Sequence, residues 1–66
     1  MTHDDLVRHL TYHVDLSLKD FGPAHGRTYL RGAVKVWREA YGDDLANHML
    51  AMINGRLQKL NQRPLN

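Results

Sequence analysis

The middle of the chain reads RTYLRGAVKVWREAY over residues 27–41. Its apolar residues recur at intervals of three and four, the spacing that places side chains on one face of an α-helix. Trp37 is the largest of them and the chain's single tryptophan. The segment is therefore predicted to be the central helix of a small core. Its apolar face comprises Leu30, Ala33, Val34, Trp37, Ala40 and Tyr41.

A first amphipathic helix is predicted before this segment. Thr2 can cap its free backbone amides, and Asp5, three residues later, suits the positive end of the helix dipole. The Gly22-Pro23 pair is predicted to end the helix. Its apolar stripe consists of Leu6, Val7, Leu10, Val14, Leu18 and Phe21.

A third helix is predicted after Gly42, which fits the left-handed position that commonly follows a helix. Asp43 or Asp44 can cap the new helix, and Pro64 closes the ordered region. The apolar residues of this helix follow near-heptad spacing and comprise Leu45, Met49, Met52, Ile53, Leu57 and Leu60.

The predicted fold is all-α, a small three-helix bundle within residues 1–62. Its helices span about 3–20, 24–41 and 44–61, and residues 63–66 form a mobile tail. A chain of 66 residues buries only about 60% of the surface that its unfolded form exposes, so the core is small. With no cysteine in the chain, neither a disulfide nor a thiolate zinc site can reinforce it.

Some features favour completion of the core by self-association. Leu16, Val36 and Leu50 fall off the three apolar stripes and widen the apolar surface beyond the needs of a monomer. Gly32 and Gly55 lie inside predicted helices, where glycine is unfavourable, and close approach of another helix is one reason to retain it.

The sequence predicts a cytoplasmic, soluble protein with no membrane partner. No stretch approaches the roughly 20 consecutive apolar residues of a membrane span. The amino-terminal segment, residues 1–5, is acidic, whereas a signal peptide begins with basic residues.

The most distinctive surface feature is a row of four cations, here called the basic ridge: Arg27, Arg31, Lys35 and Arg38. Their spacings of four, four and three align them along one side of the central helix. Residues 27–41 carry four cations and one acidic residue, a net charge of +3, while the whole chain carries only +2, so the positive charge is concentrated here. The ridge is the candidate macromolecule-binding site, suited to a phosphate backbone or to an acidic groove of a protein. A plain solvated helix face is the simpler interpretation.

Histidines provide a weaker candidate, because Asp5, His9 and His13 recur once per helical turn and could chelate a divalent cation. Catalytic zinc usually needs three ligands in a fixed constellation, which a linear row rarely supplies. Ordinary surface histidines are the favoured interpretation, and no metal or other cofactor is expected.

Catalysis has little support in the sequence. There is no cysteine nucleophile and no GxSxG motif, and the only serine, Ser17, falls in the middle of the first predicted helix. The predicted function is that of a small non-enzymatic protein that binds another macromolecule as a regulator, inhibitor or accessory subunit. A protein partner or a second copy is favoured. The alternatives are nucleic-acid binding through the basic ridge and a divalent-metal-binding helix.

Overall fold

The computed structural model describes residues 2–65, and within them the chain is helical with no strand. Two helical elements are present, α1 (His3–Tyr41) and α2 (Asp43–Lys59). The all-α class is therefore confirmed. The prediction of three separate helices is wrong in its count, because the first two predicted helices form one interrupted element.

The interruption of α1 lies at Gly22. A straight helix of 39 residues would measure about 58 Å, whereas the longest dimension of the molecule is 28 Å. Gly22 has φ 79° and ψ 167°, a conformation that residues with side chains rarely adopt. Helical backbone resumes directly at Pro23, so no loop separates the first limb (residues 3–21) from the second limb (residues 23–41). The chain reverses on a single residue.

The two limbs touch closely at Gly26, which is buried. A Cβ atom added there would lie 2.7 Å from the carbonyl oxygen of Ser17. The Ser17 hydroxyl is itself satisfied, since it donates to the carbonyl oxygen of His13 at 2.7 Å. A Cβ added at Gly32 or Gly55 would meet no other atom of residues 2–65 within 4 Å. Close approach within the described chain therefore explains Gly26, and it does not explain Gly32 or Gly55, for which it was one possible reason.

The core combines both limbs, α2 and the segment after it. The centres of the predicted stripes are confirmed as buried, but the edges are not, because Val7, Phe21, Tyr41 and Leu45 are exposed. Ala46, which no stripe included, is fully buried. The buried cluster consists of Leu10, Val14, Leu30, Val34, Met49, Ile53, Leu57 and Leu65.

The helix starts differ in how they are capped. The predicted cap of α1 is confirmed, because the Asp5 amide donates to the Thr2 hydroxyl oxygen at 3.1 Å and the Thr2 amide donates to the Asp5 carboxylate at 3.2 Å. The prediction that Asp43 or Asp44 caps the last helix is wrong. Gly42, with φ 93°, stands at that cap position, and no side chain of the described residues caps the helix. Asp43 instead accepts a hydrogen bond from Arg38.

The end of α2 is a Schellman turn. Asn61 has φ 59°, its amide donates to the carbonyl oxygen of Gln58 at 3.1 Å, and the Gln62 amide donates to that of Leu57 at 2.8 Å. This turn sends the following residues back towards the core, where Leu65 is only 2% exposed.

The segment predicted to be a mobile tail, residues 63–66, has a packed position as far as Leu65. The Leu65 amide donates to Asn54 Oδ1 at 2.7 Å, and Asn54 Nδ2 donates to the Leu65 carbonyl oxygen at 3.3 Å. Asn66 lies outside the described residues.

An ion pair joins α2 to the first limb. Arg56 donates from Nε and Nη2 to the two carboxylate oxygens of Asp15, each at 2.8 Å. These hydrogen bonds raise the pKa of Arg56. Across residues 2–65, no helix combines the length and apolar character required to cross a bilayer.

Candidate functional site

The basic ridge lies on the second limb, but its four cations have different surroundings. Arg38, at one end, donates to Asp43 Oδ1 at 3.0 Å and to Asn47 Oδ1 at 2.8 Å. Arg27, at the other end, donates to the carbonyl oxygens of Arg63 and Pro64, the latter at 3.1 Å. Both ends of the ridge therefore hold neighbouring segments in place.

The two central cations, Arg31 and Lys35, are exposed. Neither side chain forms a hydrogen bond or ion pair with any residue between positions 2 and 65. They lie beside a shallow groove of about 230 Å³, which is also lined by Val34, Leu50 and Leu65. The structure thus places the four predicted residues in one row but leaves only two of them free of partners within the described chain. Their role in binding a macromolecule stays a prediction.

A second surface is apolar and lies where the two limbs meet, away from α2. We call it the aromatic face and define it by His13, Phe21, Tyr29, Val36 and Trp37. The ring centroid of Tyr29 lies 5.4 Å from that of Phe21 and 5.4 Å from that of His13. The His13 and Trp37 ring centroids are 6.0 Å apart.

The aromatic face is open to solvent and concave. Val36 is 61% exposed, Phe21 50% and Tyr29 46%, so large apolar side chains remain in water. Tyr29 and Val36 line a cleft of about 540 Å³, whose lining also includes the small residues Gly32 and Ala33. Adjacent exposed apolar side chains of this kind commonly mark an interaction site.

The spacing of residues on the second limb separates its two surfaces. At roughly 100° per residue, the buried residues Leu30 and Val34 define one direction. The row Tyr29, Ala33, Val36 and Ala40 is turned about 110° from it on one side, and the basic ridge about 75° on the other. The apolar row and the ridge therefore occupy opposite sides of the same helical limb, with the core contact between them.

His13 is the polar group of the aromatic face. Its Nε2 atom is buried and has no hydrogen-bond partner among residues 2–65. Burial lowers the pKa of His13, and the neighbouring His9 lowers it further. The imidazole is therefore neutral at neutral pH and compatible with the apolar side chains around it.

The structure does not assemble the candidate row Asp5, His9 and His13 into a set of metal ligands. The His9 and His13 rings stack with centroids 6.4 Å apart, while the Asp5 carboxylate is engaged in the helix cap. Among residues 2–65, no three histidine, cysteine or acidic side chains are grouped so that they could hold an ion. We therefore do not propose a metal site.

Two residues that contribute to these surfaces, Arg63 and Phe21, were not predicted from the sequence to do so. Arg63 meets Arg27 and Arg31 around one cleft, although 32 positions separate Arg63 from Arg31 in the sequence. Phe21 joins the aromatic face instead of the core. The only local signal for the aromatic face was Val36, which falls off the apolar stripe of the second limb.

No protein-family model matches the chain, and comparison with curated proteins and with solved structures gave no significant match.

Proposed function

We propose that the chain is a small non-enzymatic binding protein that works through protein contacts, and that its aromatic face pairs with the same face of a second copy. The observation that carries this proposal is the row Tyr29, Ala33, Val36 and Ala40 on the second limb. Tyr29, Val36 and Ala40 are exposed and Ala33 is half-buried.

The spacing of this row is symmetric. Intervals of four, three and four read the same in both directions, which suits a two-fold contact between antiparallel helices. With the axis midway along the row, Tyr29 of one copy faces Ala40 of the other, and Ala33 faces Val36. Each large side chain thus meets a small one.

The small residues at the centre favour close packing of the two limbs. Gly32 borders the cleft of the aromatic face, and a Cβ there would touch nothing in the part of the chain that the structure describes. A second helix can therefore approach closely at this point. In a parallel pairing, by contrast, Tyr29 would meet Tyr29 and Ala33 would meet Ala33, which leaves the centre unfilled.

The exposed area is consistent with a surface that becomes covered. The chain exposes 4679 Å², whereas a monomer of 7.6 kDa is expected to expose about 4,300 Å². The excess of about 400 Å² is roughly half of what each partner buries in a standard interface.

The first test is molecular mass in solution. By light scattering or sedimentation between about 1 and 500 µM, the mass should rise from that of one chain towards twice the 7.6 kDa value. Val36→Arg should keep the protein monomeric, because it places a charge in the apolar contact. Leu45→Arg, at an exposed apolar position on α2, is the matched control and should still dimerise. A wild-type protein that stays monomeric throughout would overturn the proposal.

A second test addresses the antiparallel arrangement. Ala40→Tyr alone should weaken dimerisation, because a tyrosine would then face Tyr29 of the other copy. Adding Tyr29→Ala restores one large and one small residue at each contact and should recover the dimer. Both substituted positions are exposed, so the monomer fold should survive. If the double variant is more monomeric than Ala40→Tyr alone, the antiparallel register is wrong.

A further inference from the structure

The chain carries a second, separate feature on the opposite side of the second limb. Arg27 and Arg31 on that limb and Arg63 after α2 line one cleft of about 710 Å³, which we call the arginine cleft. Its remaining lining residues are neutral, so no acidic side chain within residues 2–65 offsets the three guanidinium groups at this cleft.

From this arrangement we infer that the arginine cleft binds the phosphate group of a small phosphorylated molecule. Guanidinium groups present planar, paired donors that match phosphate oxygens, and they remain charged at all physiological pH values. Three of them line one concavity, so an anion bound there is attracted by all three charges.

The cleft is fixed by the fold. Arg27 is held by its hydrogen bonds to the carbonyl oxygens of Arg63 and Pro64. The segment that carries Arg63 is anchored in turn by buried Leu65 and by the two hydrogen bonds between Leu65 and Asn54. The Arg27 guanidinium is therefore already positioned, and a charged group of this kind loses less conformational freedom when a ligand binds.

The local backbone adds to the positive potential. The second limb begins at Pro23, and Ala24 lines the cleft, so the positive end of that limb's dipole faces the same space. The inference rests on the three guanidinium groups, and the helix end only strengthens their attraction for an anion.

A small ligand fits this site better than a nucleic acid. The volume of the cleft is within the range of small-molecule sites, about 300–1,000 Å³. A phosphate backbone would instead need a continuous row of free cations, and Arg38 at the far end of the basic ridge is already paired with Asp43. Lys35 lies one turn beyond Arg31 and does not line the arginine cleft.

The test uses the whole chain, with the backbone amide signals of Ala24 and Arg63 followed by nuclear magnetic resonance. Inorganic phosphate and adenosine monophosphate serve as probes for a free and a covalently carried phosphate, and adenosine serves as the probe without phosphate. Saturable shifts with both phosphate probes would indicate a general phosphate site. A response to adenosine monophosphate at much lower concentration than inorganic phosphate would identify a phosphorylated molecule as the natural source. An equal response to adenosine would overturn the inference.

Substitutions can distinguish phosphate binding at the arginine cleft from a general attraction to the positive charge of the basic ridge. Arg31→Gln and Arg63→Gln should each weaken phosphate binding by about tenfold, because each removes a charge-assisted hydrogen bond. Neither substitution removes a side-chain hydrogen bond found within residues 2–65, so both proteins should fold. Lys35→Gln removes the same charge outside the cleft and should change binding by less than about twofold.

Three further results would overturn the inference. The first is the absence of saturable shifts with either phosphate probe up to roughly 20 mM. The second is a loss in Lys35→Gln as large as the loss in Arg31→Gln, which would indicate diffuse attraction along the ridge. The third is binding of a single-stranded oligonucleotide that is much tighter than binding of adenosine monophosphate and depends equally on Lys35.

Discussion

Gly26 is the residue at which the two limbs of α1 have least room. Its missing side chain allows the second limb to lie against the backbone of Ser17, and no rotation of a flexible side chain could relieve a clash there. A substitution at Gly26 therefore tests whether the two limbs are in close contact at Ser17.

Gly26→Ala should destabilise the protein by about 1–3 kcal/mol, because the added methyl group forces the limb backbones apart. Gly55→Ala is the control, since it adds the same group inside α2 where nothing lies within 4 Å. It should stabilise the protein by up to about 1 kcal/mol. Urea unfolding followed by circular dichroism measures both, and equal stabilities for the two variants would contradict the close contact.

His13 should make stability depend on pH. Burial lowers the pKa of His13 in the folded protein, so below about pH 6.5 the unfolded chain takes up a proton more readily than the folded one. The contribution of neutral His13 to the free energy of unfolding is therefore complete above that pH, and it is lost as the pH falls towards the lowered pKa. Between about pH 7.5 and pH 5, the urea midpoint should fall.

Substitution of the ring isolates this effect. His13→Phe keeps an aromatic ring beside Tyr29 and Trp37 but cannot be protonated, so its midpoint should change less over the same pH range. His25→Gln, at an exposed position, should retain the wild-type profile. A His13→Phe protein as pH-sensitive as the wild type would show that other groups cause the dependence.

At the scale of helical elements, the end of α2 determines where the following segment goes. Asn61 adopts the left-handed conformation that asparagine and glycine tolerate best. Its turn places Leu65 in the core and Arg63 at the arginine cleft, so one backbone conformation supports both a packing contact and a charged surface.

Asn61→Val should cost about 1–2 kcal/mol, because a β-branched residue is strained at positive φ. It should also speed hydrogen exchange at the Leu65 amide, which depends on the same turn for its position. Asn61→Gly should be close to wild type in both measurements. A valine variant with unchanged stability and exchange would mean that the turn does not hold this segment.

Local signals in the sequence were the most informative about these elements. The Thr2 and Asp5 pair predicted the cap of α1 because both partners lie within one turn. The Gly22-Pro23 pair located the chain reversal correctly but gave the wrong number of elements, since the spacing of residues does not show whether a loop separates two helices.

For the whole molecule, the apolar spacing predicted the centre of the core but not its edges. Leu30 and Val34 are buried as expected, while Ala40 and Tyr41 on the same predicted face are exposed. Helical periodicity gives only the direction in which a side chain points. How far the neighbouring limb extends over that direction is a tertiary property.

The candidate surfaces, like the core, could be predicted from the sequence only in part. The alignment of Arg27, Arg31, Lys35 and Arg38 follows from helical spacing alone. The sequence pattern does not specify the direction of the turns near Gly42 and Asn61. These turns determine which groups Arg27 and Arg38 contact and bring Arg63 close to Arg27. In the sequence, the aromatic face was indicated only by an excess of apolar residues.

The position of Leu65 also bears on how the protein folds during synthesis. Leu65 shares the buried cluster with Leu10, and 55 positions separate them in the sequence. Ribosomes add roughly 5–20 residues per second, and amino-terminal parts of a chain usually form structure first. The two limbs of α1 can pair early through contacts close in sequence. The core cannot close until Leu65 has left the ribosome, so cooperative folding must follow translation of the whole described chain.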